Sequence, residues 1–328
     1  MVKFIKKIVK ALRNSWATSR KTNFDNENRF LIFLDCFYCI LKFHITPKEY
    51  LDYQFYNYKN CYRKNFLLIY HQQNEYKFIN EKGFTRSKFN FYQRIPECFS
   101  REMILAPMCG EEKFLEFAKK HHQIVTKPDG GSYGRNIEFF TYHDDEQARS
   151  YFAALPDRTI CEEYIWQHKQ MNVMNPFSVN TIRIVSLLKQ DEVHIISATL
   201  RTGGKPGVCV DNLKNNGVGA QVDIATGIVC TAGFDYNDKV YVRHPVSGTQ
   251  FLGFNIPNWE MAIEVVKRAH KKLPQCKILG WDIAITRTGV DVVEANNAPG
   301  VPIMQIGDMT PKGEKVLEVI KEIKRRKH

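Results

Sequence analysis

Three side chains late in the chain, Asp282, Glu294 and Asn296, offer oxygen atoms at a spacing that could hold a metal ion. They lie in two strand-like runs, 279–286 and 290–296, around a short turn containing Gly289, which is the pattern of a β-hairpin. A three-residue loop, 287–289, sets Thr286 against Val290 and brings Asp282 directly opposite Glu294. Asn296, two residues further on, then shares their face. Carboxylates about 5 Å apart repel unless a cation lies between them. Oxygens from Asp, Glu and Asn suit Mg²⁺, which keeps several waters and bridges to phosphates. A two- or four-residue loop instead puts the acids on opposite faces and leaves a plain surface hairpin.

A second segment, Val125-Thr126-Lys127-Pro128-Asp129-Gly130-Gly131-Ser132-Tyr133-Gly134, places a lysine at the end of a strand and a glycine-rich loop after it. Without Cβ atoms in the way, backbone N–H groups can approach phosphate oxygens, and the lysine adds a point charge. The loop is neither a Walker sequence nor a dinucleotide fingerprint. Alone it reads as a tight turn; together with the acidic hairpin it reads as half of a phosphate site.

These residues need a scaffold, and the spacing of apolar residues predicts one. Helices are expected at 111–121, 145–154, 259–271 and 312–326. Strands are expected at 123–127, around Ile137, at 181–188, 193–201, 220–223, 279–286 and 290–296, and in a run ending at 162–165. That order describes an α+β protein with helices on one side of its sheets. Residues 23–100, rich in Phe, Tyr, Asn and Lys, read as mainly helical.

The composition sets limits. Of 328 residues, 44% are hydrophobic and 12% aromatic, which is enough for a core and excludes disorder as the main state. No uncharged apolar run is long enough to span a bilayer, and no secretory signal is apparent, so a cytoplasmic chain is expected. The nine cysteines are odd in number and scattered. Cys36 and Cys39 have redox-motif spacing but sit in an apolar helical run, and nothing completes a zinc site.

The net charge of +12 is concentrated: residues 1–100 hold 18 Lys and Arg against 8 Asp and Glu. Residues 1–22 hold seven basic and no acidic side chains, with Ile5, Ile8, Leu12 and Trp16 at helical spacing. Such a helix either lies on an anionic lipid surface, at the inner membrane face, or docks its apolar stripe on the rest of the domain. The aromatics interleaved with Lys and Arg over 53–70 could stack on bases or form a helical core.

Lys127-Pro128 with its glycine loop, Glu162-Glu163-Tyr164-Ile165, Asp282, Glu294-Ala295-Asn296 and Pro299-Gly300 occur in the order of the ATP-grasp superfamily, which this chain resembles over about residues 82–310. Asn180-Thr181-Ile182-Arg183-Ile184-Val185 and Trp281-Asp282 most resemble the sugar-transfer-associated branch, whose members are found with polysaccharide-biosynthesis genes, capsule genes among them. The resemblance implies an ATP-grasp fold, in which two α+β subdomains grip ATP and join a carboxylate to an amine through an acyl phosphate. The corresponding division is a helical basic region over 1–81 and a catalytic region over 82–328. The latter splits into N-terminal and lid subdomains (82–165) and a metal-binding subdomain (166–328).

Carried over by position, the resemblance implies that Lys127 contacts ATP and that Gly130, Gly131, Ser132 and Gly134 close over its phosphates. Glu162, Glu163, Tyr164 and Ile165 read adenine, and Asp282, Glu294 and Asn296 ligate Mg²⁺, with two ions expected. The family's upstream lysine falls on Lys88, with Arg94 and Lys82 as competitors. The arginine many members carry just before the first metal acid is missing, because Leu279-Gly280-Trp281 stands there. Arg201, and after it Arg183, are the candidates for balancing a transferring phosphoryl group. The turn-rich stretch 203–219 could be a substrate lid, with Asn180, Lys205 and Asn212 as candidate substrate contacts.

The expected activity is amide formation on a sugar acid or another cell-surface precursor. Its alternatives are a peptide or amino-acid ligase, a phosphoryl transferase of the same fold, or a basic scaffold that binds membrane or nucleic acid through a degenerate nucleotide fold. The complete metal set argues against the scaffold and against nucleic acid as a partner.

Overall fold

The computed structural model describes residues 2–21, 26–130, 136–207 and 210–326. They form two compact units, Met1–Ile79 with Ala298–His328, and Asn80–Asn297. Among the described residues no helix is long and apolar enough to cross a membrane.

In the first unit, helices α1 (Val2–Ser19) and α2 (Asn26–Phe43) pack on each other and are followed by short helical turns. Its core is aromatic: Tyr50, Tyr53, Phe55 and Phe66 are fully buried beside Cys36 and Cys39. The aromatics of 53–70 that could have stacked on bases are therefore mostly core. Burial pushes the Cys36 thiol up to about 11 and the Cys39 thiol to about 12, so neither is a ready thiolate. By packing, the chain from Ala298 onward belongs here, although the sequence joined it to the metal-binding subdomain. Gln305 bonds both the N–H and the C=O of Leu67 at 2.9 Å, and Lys324 on the last helix, Glu314–Arg326, meets Glu75 at 2.6 Å.

The second unit holds two antiparallel sheets. The smaller has the order β1-β4-β2-β3, from β1 (Met103–Ala106), β2 (Gln123–Pro128), β3 (Glu138–Thr141) and β4 (Thr159–Glu163). Helices Glu111–His121 and Asp145–Ala154 cover one face through Phe114, Leu115, Phe117, Ala118 and Ala148. The larger sheet has the order β11-β10-β5-β6-β7-β8-β9. Its strands are β5 (Thr181–Lys189), β6 (Glu192–Gly203), β7 (Gly217–Gln221), β8 (Gly233–Phe234), β9 (Val240–Tyr241), β10 (Ile278–Ile285) and β11 (Val290–Asn296). Alternation divides this sheet. Ile182, Ile184, Leu200, Trp281 and Ile283 point to the core, where helix Trp259–Lys271 adds Ala262, Val266 and Ala269. The residues between them face the other way.

Candidate active site

The face opposite that core carries the charges. Strand pairing aligns Glu294, Asp282, Arg183, Thr199 and Gln221 in one row across β11, β10, β5, β6 and β7. Thr181 and Arg201 pair in the neighbouring row.

Asp282 does stand opposite Glu294, but not for the reason the sequence suggested. Ile285 pairs with Val290, so the loop has four residues, and a regular ladder would set Val293 against Asp282. A β-bulge on β11 absorbs Val293 and returns Glu294 to the face of Asp282. The longer turn is held from outside: the Arg287 N–H donates to the Trp166 carbonyl at 2.9 Å, and its guanidinium lies 4.5 Å from the Trp166 ring centroid.

Arg101, which the sequence reading missed, grips the bulge. Its guanidinium donates to the carbonyls of Val292 (2.8 Å) and Val293 (3.1 Å), pairs with Asp291, and reaches Glu162 on β4 at 3.0 Å. Glu162 takes Lys127 Nζ on its other oxygen at 2.6 Å. Burial alone would raise the Glu162 carboxyl, but the charges of Arg101 and Lys127 outweigh it and hold the group below its ordinary value. Burial likewise pushes Lys127 down, with Glu162 opposing. Glu162 thus belongs to a buried network at the wall of the cavity, which Glu163, Tyr164 and Ile165 also line.

Asp282 is held by both candidate arginines. Arg183 makes a two-pronged contact, with the second bond at 2.9 Å, and Arg201 reaches the same carboxylate at 2.8 Å. Burial works against the charged form, yet the two guanidinium groups keep the carboxyl well below the usual range. Arg183 pairs directly across the strands from Asp282. Arg201 also bridges to Asp211 at 2.7 Å. Asp211 lies in the turn-rich stretch and bonds Thr181, so that stretch is tied to the sheet at this point. Glycine is required nearby, since a Cβ on Gly217 would come within 2.4 Å of the Asp211 carbonyl oxygen.

A cavity of about 330 Å³ opens over these groups. Lys88, Lys127, Arg201 and Arg287 line it along with Glu294 and Asp282, and Phe139, Tyr164, Trp166 and Phe177 supply aromatic surface. Lys88 Nζ lies 3.7 Å from Glu294. Its position follows from Asp129, just after Lys127, which accepts from the Ser87 hydroxyl and from the Phe89 N–H at 2.9 Å, fixing the start of helix Lys88–Arg94. Arg94 instead stacks on Phe84 at 4.2 Å, and Lys82 is exposed away from the cavity.

Two substrate candidates lie elsewhere. Asn180 is fully buried and bonded to Gln167, Met171 and Asn175, because its strand begins inside the core, and Lys205 is exposed. Asn212 does line the cavity. Gly130 opens the glycine loop, whereas Gly131, Ser132 and Gly134 lie outside the described residues.

The donor set fits a hard divalent cation. Asp282 Oδ1 receives two hydrogen bonds and Oδ2 one, which leaves an acceptor position on a group with about four lone-pair sites. Glu294 is half-exposed toward the cavity, with the Asn296 amide 3.3 Å from its Oε1. Among the described residues no group of three or more His, Cys, Asp or Glu side chains is placed to hold a metal ion. Two acids and an amide suit an ion that keeps waters and shares substrate phosphates.

An antiparallel sheet bearing paired carboxylates, sharing a cavity with a smaller sheet that bears a lysine, is the ATP-grasp architecture. The sequence pattern described as sugar-transfer associated ATP-grasp matches residues 152–324, more than half of the chain, and the chain belongs to that family. No curated protein sequence matches it. Among solved structures it is similar to the ATP-grasp ligase PsnB complexed with minimal precursor, at 11% identity and a TM-score of 0.44, covering 74% of this chain and 61% of that one. It is also similar to D-alanine–D-alanine ligase from Bacillus anthracis, at 15% identity and a TM-score of 0.41, covering 74% and 68%. For N5-carboxyaminoimidazole synthase from Aspergillus clavatus the identity is 9% and the TM-score 0.39, covering 66% and 45%. The chain thus spans about three fifths of the first of these proteins and less than half of the third.

Proposed function

We propose that this chain is an ATP- and Mg²⁺-dependent carboxylate–amine ligase working through an acyl phosphate, with catalysis in the region from residue 82 onward. The observation that carries the reading is the pairing of Asp282 with Glu294 over a cavity lined by Lys88, Lys127 and Arg201. Asp282, Glu294 and Asn296 would hold Mg²⁺, two ions in the full complex, whose charge offsets that of the phosphate oxygens. Lys88, Lys127 and the glycine loop hold the phosphate chain, and the segment 162–165 receives adenine among Phe139, Tyr164 and Trp166. A substrate carboxylate oxygen bonds to the γ-phosphorus as the bond to the β,γ-bridging oxygen breaks and ADP leaves. An amine nitrogen then attacks the acyl carbon, phosphate departs, and the nitrogen loses its proton. Arg201, with Arg183 behind it, balances charge on the transferring group.

The family's association with sugar transfer supports a sugar acid or another cell-surface polysaccharide precursor, such as a capsule component, as one substrate. The proposed setting is the cytoplasm, with residues 1–22 as a peripheral hold on anionic lipid at the inner membrane face.

Calorimetry with ATP and Mg²⁺ on the intact chain, and on the Glu294→Ala, Asn296→Ala double variant, tests the site. Magnesium-dependent nucleotide binding that the double variant loses upholds the proposal and justifies screening acids and amines for ADP release with amide formation. A phosphorylated product without amide moves the reading to phosphoryl transfer. A folded intact chain that binds no nucleotide overturns it.

A further inference from the structure

Helix α1 buries the wrong residues for an ordinary docked helix. Its inward face is Ala11, Ser15, Thr18 and Ser19, small and partly polar, with Ser15 and Thr18 bonding back to carbonyls one turn earlier at 2.8 Å. Four of its large apolar side chains, Ile5, Val9, Leu12 and Trp16, are exposed, while Ile8 is half-buried. At 3.6 residues per turn these four fall on a stripe only about 60° wide. On α2, Ile32, Cys36 and Cys39 are buried, while Phe30, Leu31, Leu34, Tyr38 and Leu41 are exposed. Exposure across both sets runs from 38% at Leu12 to 63% at Leu31.

The two stripes join. The Trp16 ring lies 5.7 Å from that of Phe33, which lies 6.1 Å from that of Phe30. A continuous apolar surface of this kind marks an interaction site. Its surroundings select the occupant. Lys6, Lys10 and Arg13 are exposed on α1, Arg20 just after it, and Arg29 and Lys42 on α2, and residues 1–22 contain no acid. A second copy related by a two-fold axis would bring the same cationic rim against itself. Nucleic acid would meet the rim but leave the aliphatic centre without a partner. An anionic bilayer satisfies both, with phosphates for the rim and acyl chains for the centre.

We propose that α1 and α2 together form a docking face that lies in the surface of an anionic bilayer, with α2 contributing apolar side chains as well as α1. This rests on the membrane hold assigned to residues 1–22 and is independent of the ligase chemistry.

The test is co-sedimentation of the full chain with phosphatidylcholine vesicles, with and without phosphatidylglycerol, alongside light scattering for oligomeric state. The expected result is binding only when phosphatidylglycerol is present. Leu31→Ser with Leu34→Ser should weaken it by more than about tenfold, and Lys6→Gln with Lys10→Gln and Arg13→Gln by roughly a hundredfold. Circular dichroism should find all variants folded, because every changed side chain is exposed. If Val9→Ser with Leu12→Ser abolishes binding while the α2 variant binds normally, the two-helix face is overturned and residues 1–22 act alone. If the intact chain binds no vesicle, both membrane readings fall. A dimer that the α2 variant dissociates, without vesicle binding, assigns the face to a second copy instead.

Discussion

Adjacent residues on β10 belong to two different materials. Trp281 faces helix Trp259–Lys271, fully buried, with its indole N–H donated to Ser186 at 2.8 Å. Asp282 faces the cavity, held by Arg183 and Arg201. The apolar face is stabilised by burial and needs only shape. The charged face places ionised groups where desolvation opposes them, and it stands only because each has a partner. The first should govern stability and the second binding and turnover, with Arg101 serving both because it holds the bulge that sets Glu294 in place.

Four substitutions sharpen or break that division. Arg101→Met leaves Glu162 and Asp291 buried without their shared cation, and we expect a loss of about 3–5 kcal/mol in urea unfolding. Nucleotide binding should weaken with it; a fully stable Arg101→Met chain would contradict the role given to that side chain. Glu294→Gln keeps size but removes charge, and should cut ADP release by about 10²–10³ with an unchanged thermal midpoint.

His270, on the apolar side, accepts the Ser186 hydroxyl proton on Nδ1 at 2.6 Å and donates from Nε2 to the Cys276 carbonyl at 2.9 Å. Burial lowers it to about 4 from an ordinary value of 6.5. Its folded-state value is depressed, so the stability tied to its neutral ring is present above pH 6.5 and lost as pH falls toward 4, about 3 kcal/mol in all. Urea midpoints taken across that window should slope in the native chain and less steeply in His270→Gln, the remaining slope coming in part from His71 and His244, which burial also lowers. Smallest of all, Ile283→Val should cost about 1 kcal/mol and leave turnover unchanged; a loss of activity there would mean that the two faces are not separable.

Much of this was legible beforehand because periodicity is local. Helices Glu111–His121, Asp145–Ala154 and Trp259–Lys271 and strand β11 have the expected bounds. Strand β1 was missed, being four apolar residues without alternation. The short strands β8 and β9 carry too few residues for any period. Among site residues, Lys88, Lys127, Arg201, Asp282 and Glu294 meet at the cavity. Arg101 and Asp211 were not foreseen, since their partners lie 61 and 190 residues away for the one and 10 and 30 for the other.

What the sequence determined by itself is the chemical inventory and the alternation that sorts it: apolar residues at one parity of each strand, acids and arginines at the other, and the order of motifs along the chain. What only the tertiary structure decided is parity across strands. Whether Glu294 meets Asp282 depends on a loop lengthened by the Trp166 contact and a bulge gripped by Arg101. A one-residue register change reverses every side chain beyond it, and the contacts that select the register come from residues far away in the chain.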